Sequence, residues 1–180
     1  HMIEQQEWTW LKIPIHTETP FFTPSLSVQA ISGYPEIDIA LLTGGEWKSP
    51  SWGEILEIPA SSFFHAGYTD LEKKELVFRP DTESNGTILF GPNLPLEKGT
   101  YEVNIHAHPI QKNRETITLG YLSAVCGNQS FGPIEVCQKN RNTLQIKLEE
   151  SLPLRINFKY TRKAKIGITR VDIRRLPDAL

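Results

Sequence analysis

The chain has 180 residues, 39% hydrophobic and 22% charged, with a formal net charge of -2. This is the composition of an ordinary globular domain able to bury one core, and it excludes the broad basic field that nucleic acid or anionic lipid would require. No apolar run approaches the roughly 18 residues of a membrane-spanning helix, so no membrane span is expected, and no secretory signal opens the chain.

One β-domain over residues 1–180 is the expected organisation. His1-Met2 reads as a cloning remnant, so the domain is expected to come from a larger protein. Thirteen prolines spread along the length limit long helices. The apolar segments between them predict strands near Trp8–Ile13, Leu26–Ser32, Ile37–Leu42, Ile55–Ile58, Glu75–Arg79, Thr87–Phe90, Thr100–His108, Thr116–Val125, Ile134–Gln138, Thr143–Glu149, Leu154–Tyr160 and Ile166–Leu176.

Several of these segments alternate with period two, the signature of a half-buried strand. Tyr101, Val103, Ile105 and Ala107 share one face; Glu102, Asn104, His106 and His108 share the other. Leu144, Ile146 and Leu148 oppose Gln145 and Lys147, and Leu154, Ile156 and Phe158 oppose Arg155, Asn157 and Lys159. Many short strands of this kind predict an all-β antiparallel sandwich of jelly-roll type with at most one or two short helices. The single helical candidate begins at Thr69-Asp70-Leu71-Glu72, a capping-box pattern. Asn85-Gly86 signals a hairpin, and Glu97-Lys98-Gly99 and Lys139–Asn142 signal turns. Cys126 and Cys137 flank a predicted hairpin connection, across which a disulfide is one expectation in an exported protein and free thiols the other.

His106 and His108 leave the same strand face and could share a metal ion. Gly99, His106, His108, Glu115 and Gly120 stand in the order of the cupin metal motif, which they resemble. The spacings depart from that motif, and no histidine follows His108, which leaves only His16 and His65 as extra ligands. Trp47 and Trp52 lie in GGEWKSPSWG, a loop composition that can present an indole to solvent. A flat aromatic ring can stack on the apolar face of a sugar while neighbouring polar groups bind its hydroxyls. Glu46, Glu54, Glu57, Glu102 and Glu115 supply carboxylates, but none sits in a glycosidase motif. There is no GxSxG, Walker or dinucleotide glycine motif. The basic run Lys159–Arg175 alternates with Ile166, Ile168, Val171 and Ile173 and reads mainly as a solvated strand face, with contact to an acidic glycan or a partner domain as the lesser alternative.

The stretch ILFGPNLPLEKGTYEV resembles a pattern common in β-sandwich domains attached to bacterial glycosyltransferases for surface polysaccharides, and IGITRVDIRRL looks like their last strand. The resemblance covers roughly Gly86–Ala107 and Ile166–Leu176. It implies a jelly-roll carbohydrate-binding module without catalysis of its own. It allows a structural calcium held by an acid near the final strand, where Asp172 stands, but otherwise implies no cofactor.

The expected function is therefore a non-catalytic carbohydrate-binding module of a bacterial polysaccharide-synthesising or processing protein. Its partners would be a glycan and the rest of the parent protein. Trp47, Trp52, Asn104, His106, His108 and Tyr121 are the expected ligand contacts. A cupin-type metal enzyme using His106 and His108, and a docking domain without ligand, are the alternatives. A glycosyltransferase parent would place the domain in the cytoplasm, and another parent outside it.

Overall fold

The computed structural model describes residues 49–111, 116–138 and 143–177. The chain divides into two units, His1–Asp38 and Ile39–Leu180, and every described residue belongs to the second. The strands predicted at Trp8–Ile13, Leu26–Ser32 and Ile37–Leu42 lie outside the described residues, as does Trp47.

Eleven strands follow in chain order: β1 (Ile55–Pro59), β2 (Phe64–His65), β3 (Tyr68–Asp70), β4 (Glu75–Phe78), β5 (Thr87–Pro95), β6 (Gly99–Pro109), β7 (Thr118–Cys126), β8 (Gln129–Cys137), β9 (Thr143–Leu148), β10 (Pro153–Tyr160) and β11 (Ile166–Leu176). The helical content among described residues is one 3-10 turn at Ala60–Ser62. One sheet runs β3-β4-β11-β6-β9 with β1 also on β11; the other runs β2-β5-β10-β7-β8. Every ladder between these strands is antiparallel.

From β4 onward, the first, eighth, third and sixth strands lie side by side in one sheet, and the second, seventh, fourth and fifth in the other. That is the interleaved double Greek key of a jelly roll. The apolar face of each strand meets the other sheet in one core. Val103, Ile105, Ile168 and Val171 enter it from one side; Leu89, Leu122, Ile156 and Phe158 enter from the other. Sequence alternation therefore decides the outward faces as well, because each inward residue leaves its neighbours pointing away.

Three local expectations are corrected. The capping-box pattern at Thr69 does not start a helix. Asp70 ends β3, and its Oδ1 accepts a bond from the Lys73 amide at 3.2 Å in the turn to β4. Asp caps a tight turn by the same bond it would make at a helix start, and sheet pairing of Glu75–Phe78 leaves no room for further helical turns. Asn85-Gly86 is not a hairpin either: it lies in the passage from β4 to β5, which belong to different sheets. The strand predicted at Thr87–Phe90 does not stop before Gly91-Pro92 but continues as β5 to Pro95. Ile156 pairs with Gly91 and Leu154 with Leu94, so Pro92 and Asn93 sit in an irregularity that spares the proline a ladder bond.

The two cysteines form no disulfide with one another, and both are buried. Cys126 pairs with Gln129 at the hairpin turn, whereas Cys137 pairs with Thr118 at the far end. Eight strand residues separate those levels, roughly 25 Å at strand rise, far beyond a disulfide's reach. Burial pushes both thiols up, with nearby Glu150 and Glu135 acting in the same direction. Alkylation in denaturant without reductant should label both cysteines, whereas in the folded protein labelling should be slow. A protected intramolecular pair would contradict the β7–β8 register.

Gly120 on β7 marks the tightest approach in the second sheet. A Cβ there would overlap the Phe158 ring and the Lys159 carbonyl. Gly120→Ala should lower stability by about 1–3 kcal/mol through overpacking, read as a lower urea midpoint. An unchanged midpoint would contradict this packing.

Candidate functional site

The two outer faces differ in chemistry. On the six-stranded sheet, β6 sends Asn104, His106 and His108 outward, because Val103 and Ile105 are buried. Their neighbours are set by the ladder with β11, where Arg170 is level with His106, Gly167 with His108 and Asp172 with Asn104. His106 Nε2 donates to Asp172 Oδ2 at 2.6 Å, and Asn104 Nδ2 lies 3.3 Å from the same ring nitrogen. The other Asp172 oxygen accepts from Arg170 Nε at 2.9 Å, and Arg170 reaches Glu57 Oε1 at 3.5 Å.

His108 is bound differently. Its Nε2 lies 3.1 Å from Glu75 Oε2, and the Glu75 side chain is only 4% exposed. Glu75 stands on β4 and His108 on β6, with β11 between them. Gly167 opens the path: a Cβ there would overlap Glu75 Oε2 and lie 2.8 Å from His108 Cε1. The glycine is therefore a notch through which a carboxylate crosses one strand to meet an imidazole.

These pairings bear on metal chemistry. Each imidazole turns its Nε2 to its own carboxylate, and among the described residues no third ligand joins the two rings. His65, an extra ligand candidate, faces the Gly67 carbonyl through Nδ1. The Asp172 carboxylate lies between an imidazole and a guanidinium. That donor set suits an ion-pair network and fits calcium poorly, because calcium needs several free oxygens.

The expected contacts do not form one site. Asn104 and His106 are together, and His108 follows on the same face. Trp52 is 66% exposed but bridges Arg175, five residues along β11 from the level of His106, or about 17 Å. Tyr121 belongs to the other sheet. Leu122 and Ala124 are buried against the core, so Tyr121 and Ser123 point out from the opposite side of the molecule.

Tyr121, 39% exposed, stands in an environment its segment alone did not reveal. Across from it are Lys159 on β10 and Glu135 on β8. Thr87, Tyr121, Ser123, Pro133 and Lys159 line a shallow hollow of about 380 Å³. One row along the sheet, Phe64, Phe90, Asn157 and Ser123 are level across β2, β5, β10 and β7. Phe64 and Phe90 are exposed and stack with centroids 5.3 Å apart. A second hollow of about 260 Å³ is lined by Lys98, Gly99, Thr100, Lys147 and Leu148 and has no aromatic ring.

The residues missed as candidates are Asn157, Lys159, Ser123 and Phe90. The outward alternation of Arg155, Asn157 and Lys159 was readable in the sequence. Which strand lay beside them was not, since β10 pairs with β5 and β7, distant in the chain.

Gly167→Ala should displace the Glu75 carboxylate and cost about 1–3 kcal/mol of stability. In a Glu75→Ala background the same substitution should cost clearly less, because the two sites are coupled. Equal costs in both backgrounds, from urea unfolding, would contradict the notch.

No protein-family model matches this sequence, and no curated protein matches it. Among solved structures, the chain is similar to the C-terminal CBM6 of LamC, a marine laminarinase from Zobellia galactanivorans. Identity is 13%, the match covers 68% of this chain and 100% of that one, and the TM-score is 0.41. Likeness at that level says nothing of this chain's ligand.

Proposed function

We propose that this domain is a non-catalytic carbohydrate-binding module whose glycan lies on the outer face of the five-stranded sheet. The observation that carries the reading is Tyr121: an exposed ring at a shallow hollow, on a sheet face that also carries the exposed Phe64–Phe90 pair and polar groups. A sugar ring has one apolar face for the phenol and a rim of hydroxyls for Ser123, Asn157, Thr87 and Lys159. The hollow is open, which suits a segment of polymer rather than an enclosed small molecule.

The face around Asn104, His106 and His108 is the weaker of the two candidate faces into which the expected contacts divide. Its polar groups are already bonded to one another, and a ligand would have to break those pairs. Trp52 remains a solvent-facing indole apart from both faces and a candidate for an accessory contact. The reading requires no cofactor.

A single shallow site of this kind binds with micromolar to millimolar affinity, about -8 to -4 kcal/mol. Tethering to a polysaccharide-handling parent protein would raise the effective affinity. The resemblance of ILFGPNLPLEKGTYEV supports a parent that makes or processes polysaccharide, including a bacterial surface-polysaccharide glycosyltransferase.

A broad glycan array should show binding that Tyr121→Ala reduces by about 30-fold, the effect of losing a central aromatic anchor worth about 2 kcal/mol. His106→Ala should bind like the parent sequence. Loss with His106→Ala but not with Tyr121→Ala would move the site to the other face. No binding across the array would favour the docking-domain alternative.

A further inference from the structure

The proposed glycan face carries a charge imbalance that the opposite face lacks. On the six-stranded sheet, cations and acids are matched: Arg170 with Asp172 and Glu57, His106 with Asp172, His108 with Glu75. On the five-stranded sheet, β10 is the central strand. Its buried residues Leu154, Ile156 and Phe158 leave Arg155, Asn157 and Lys159 pointing outward. Arg155 and Lys159 are exposed, and among the described residues neither shares an ion pair. Among the described residues of those strands, the acid on that face is Glu135, which accepts a bond from the Thr118 hydroxyl.

Lys159 is level with Tyr121 on one side and Thr87 on the other, and all three line the hollow. Arg155 stands four residues along the same strand, about 13 Å away. Two cations at that spacing are too far apart for one sugar ring and fit charges repeated along a polymer. An arginine there can take a carboxylate or sulfate through paired N–H donors, and a lysine as a point charge.

We propose that the ligand is an anionic glycan, a polymer bearing carboxylates or sulfates. One ring lies on Tyr121, and Lys159 and Arg155 meet charges on the chain. This inference rests on the glycan-binding reading of the same face and adds the class of sugar to it.

The test is calorimetric titration of the full chain with matched oligosaccharides. One pair is oligogalacturonate and its fully methyl-esterified form; the other is a sulfated oligogalactan and its desulfated form. The expected result is binding to an anionic member and at least fivefold weaker binding to its neutral counterpart. Raising sodium chloride from 50 to 500 mM should weaken the anionic complex only. Lys159→Gln and Arg155→Gln should each weaken it by about threefold to fivefold, the range of an exposed charge contact, with unchanged melting temperature. Whichever pair responds separates carboxylate from sulfate.

Equal binding of neutral and charged forms, lost in Tyr121→Ala but unaffected by Lys159→Gln, would overturn the anionic inference and leave the glycan reading standing. No binding by any of the four would overturn both. Equal affinity for polyglutamate would show a bare electrostatic surface in place of a sugar site, and would also overturn the inference.

Discussion

The structure depends on one constraint: two sheets close over a single apolar core, so every strand must alternate in and out. Tyr101, Val103 and Ile105 can be buried only if Glu102, Asn104 and His106 are turned away. The same rule on β10 buries Ile156 and Phe158 and exposes Asn157 and Lys159. Hydrophobic burial at about 25 cal/mol per Å² thereby sets the outward surfaces, because a slip of one residue would exchange the faces. The jelly-roll connection then decides which outward residues become neighbours.

That second step produces two unlike surfaces from similar strands. Around β6 and β11 the outward groups satisfy one another, with Asp172 between His106 and Arg170 and Glu75 passing over Gly167 to His108. Such a network fixes side chains in place and leaves few donors for a ligand. Around β10 the outward groups are an arginine, an amide and a lysine, flanked by Tyr121, Ser123 and Phe90. Arg155 and Lys159 share no ion pair among the described residues, and charges left so can bind something else at small cost.

Much of the fold was legible because it is local. Ile166–Leu176 was bounded as predicted, and Leu154–Tyr160 and Thr143–Glu149 each to within one residue at one end, since period-two alternation and turn residues are properties of short segments. What failed was also local in appearance but non-local in cause. Thr69-Asp70 carries a helix-start pattern, yet the pairing of β4 with β11, some 90 residues later, holds it in a strand and turn. Asn85-Gly86 carries a hairpin pattern, yet the strands on either side enter different sheets. The candidate site was half legible for the same reason. The outward direction of His106 and Tyr121 follows from their neighbours in sequence. That they stand on opposite sides of the molecule follows only from the sheet order.

A heteronuclear NMR titration of the labelled protein with the tightest-binding oligosaccharide found on the array distinguishes the two sheet faces. The largest amide shifts are expected on β5, β7 and β10, centred on Tyr121, Asn157 and Lys159. Shifts centred instead on Asn104, His106 and Asp172, with the β10 amides unmoved, would contradict a glycan site on the five-stranded sheet.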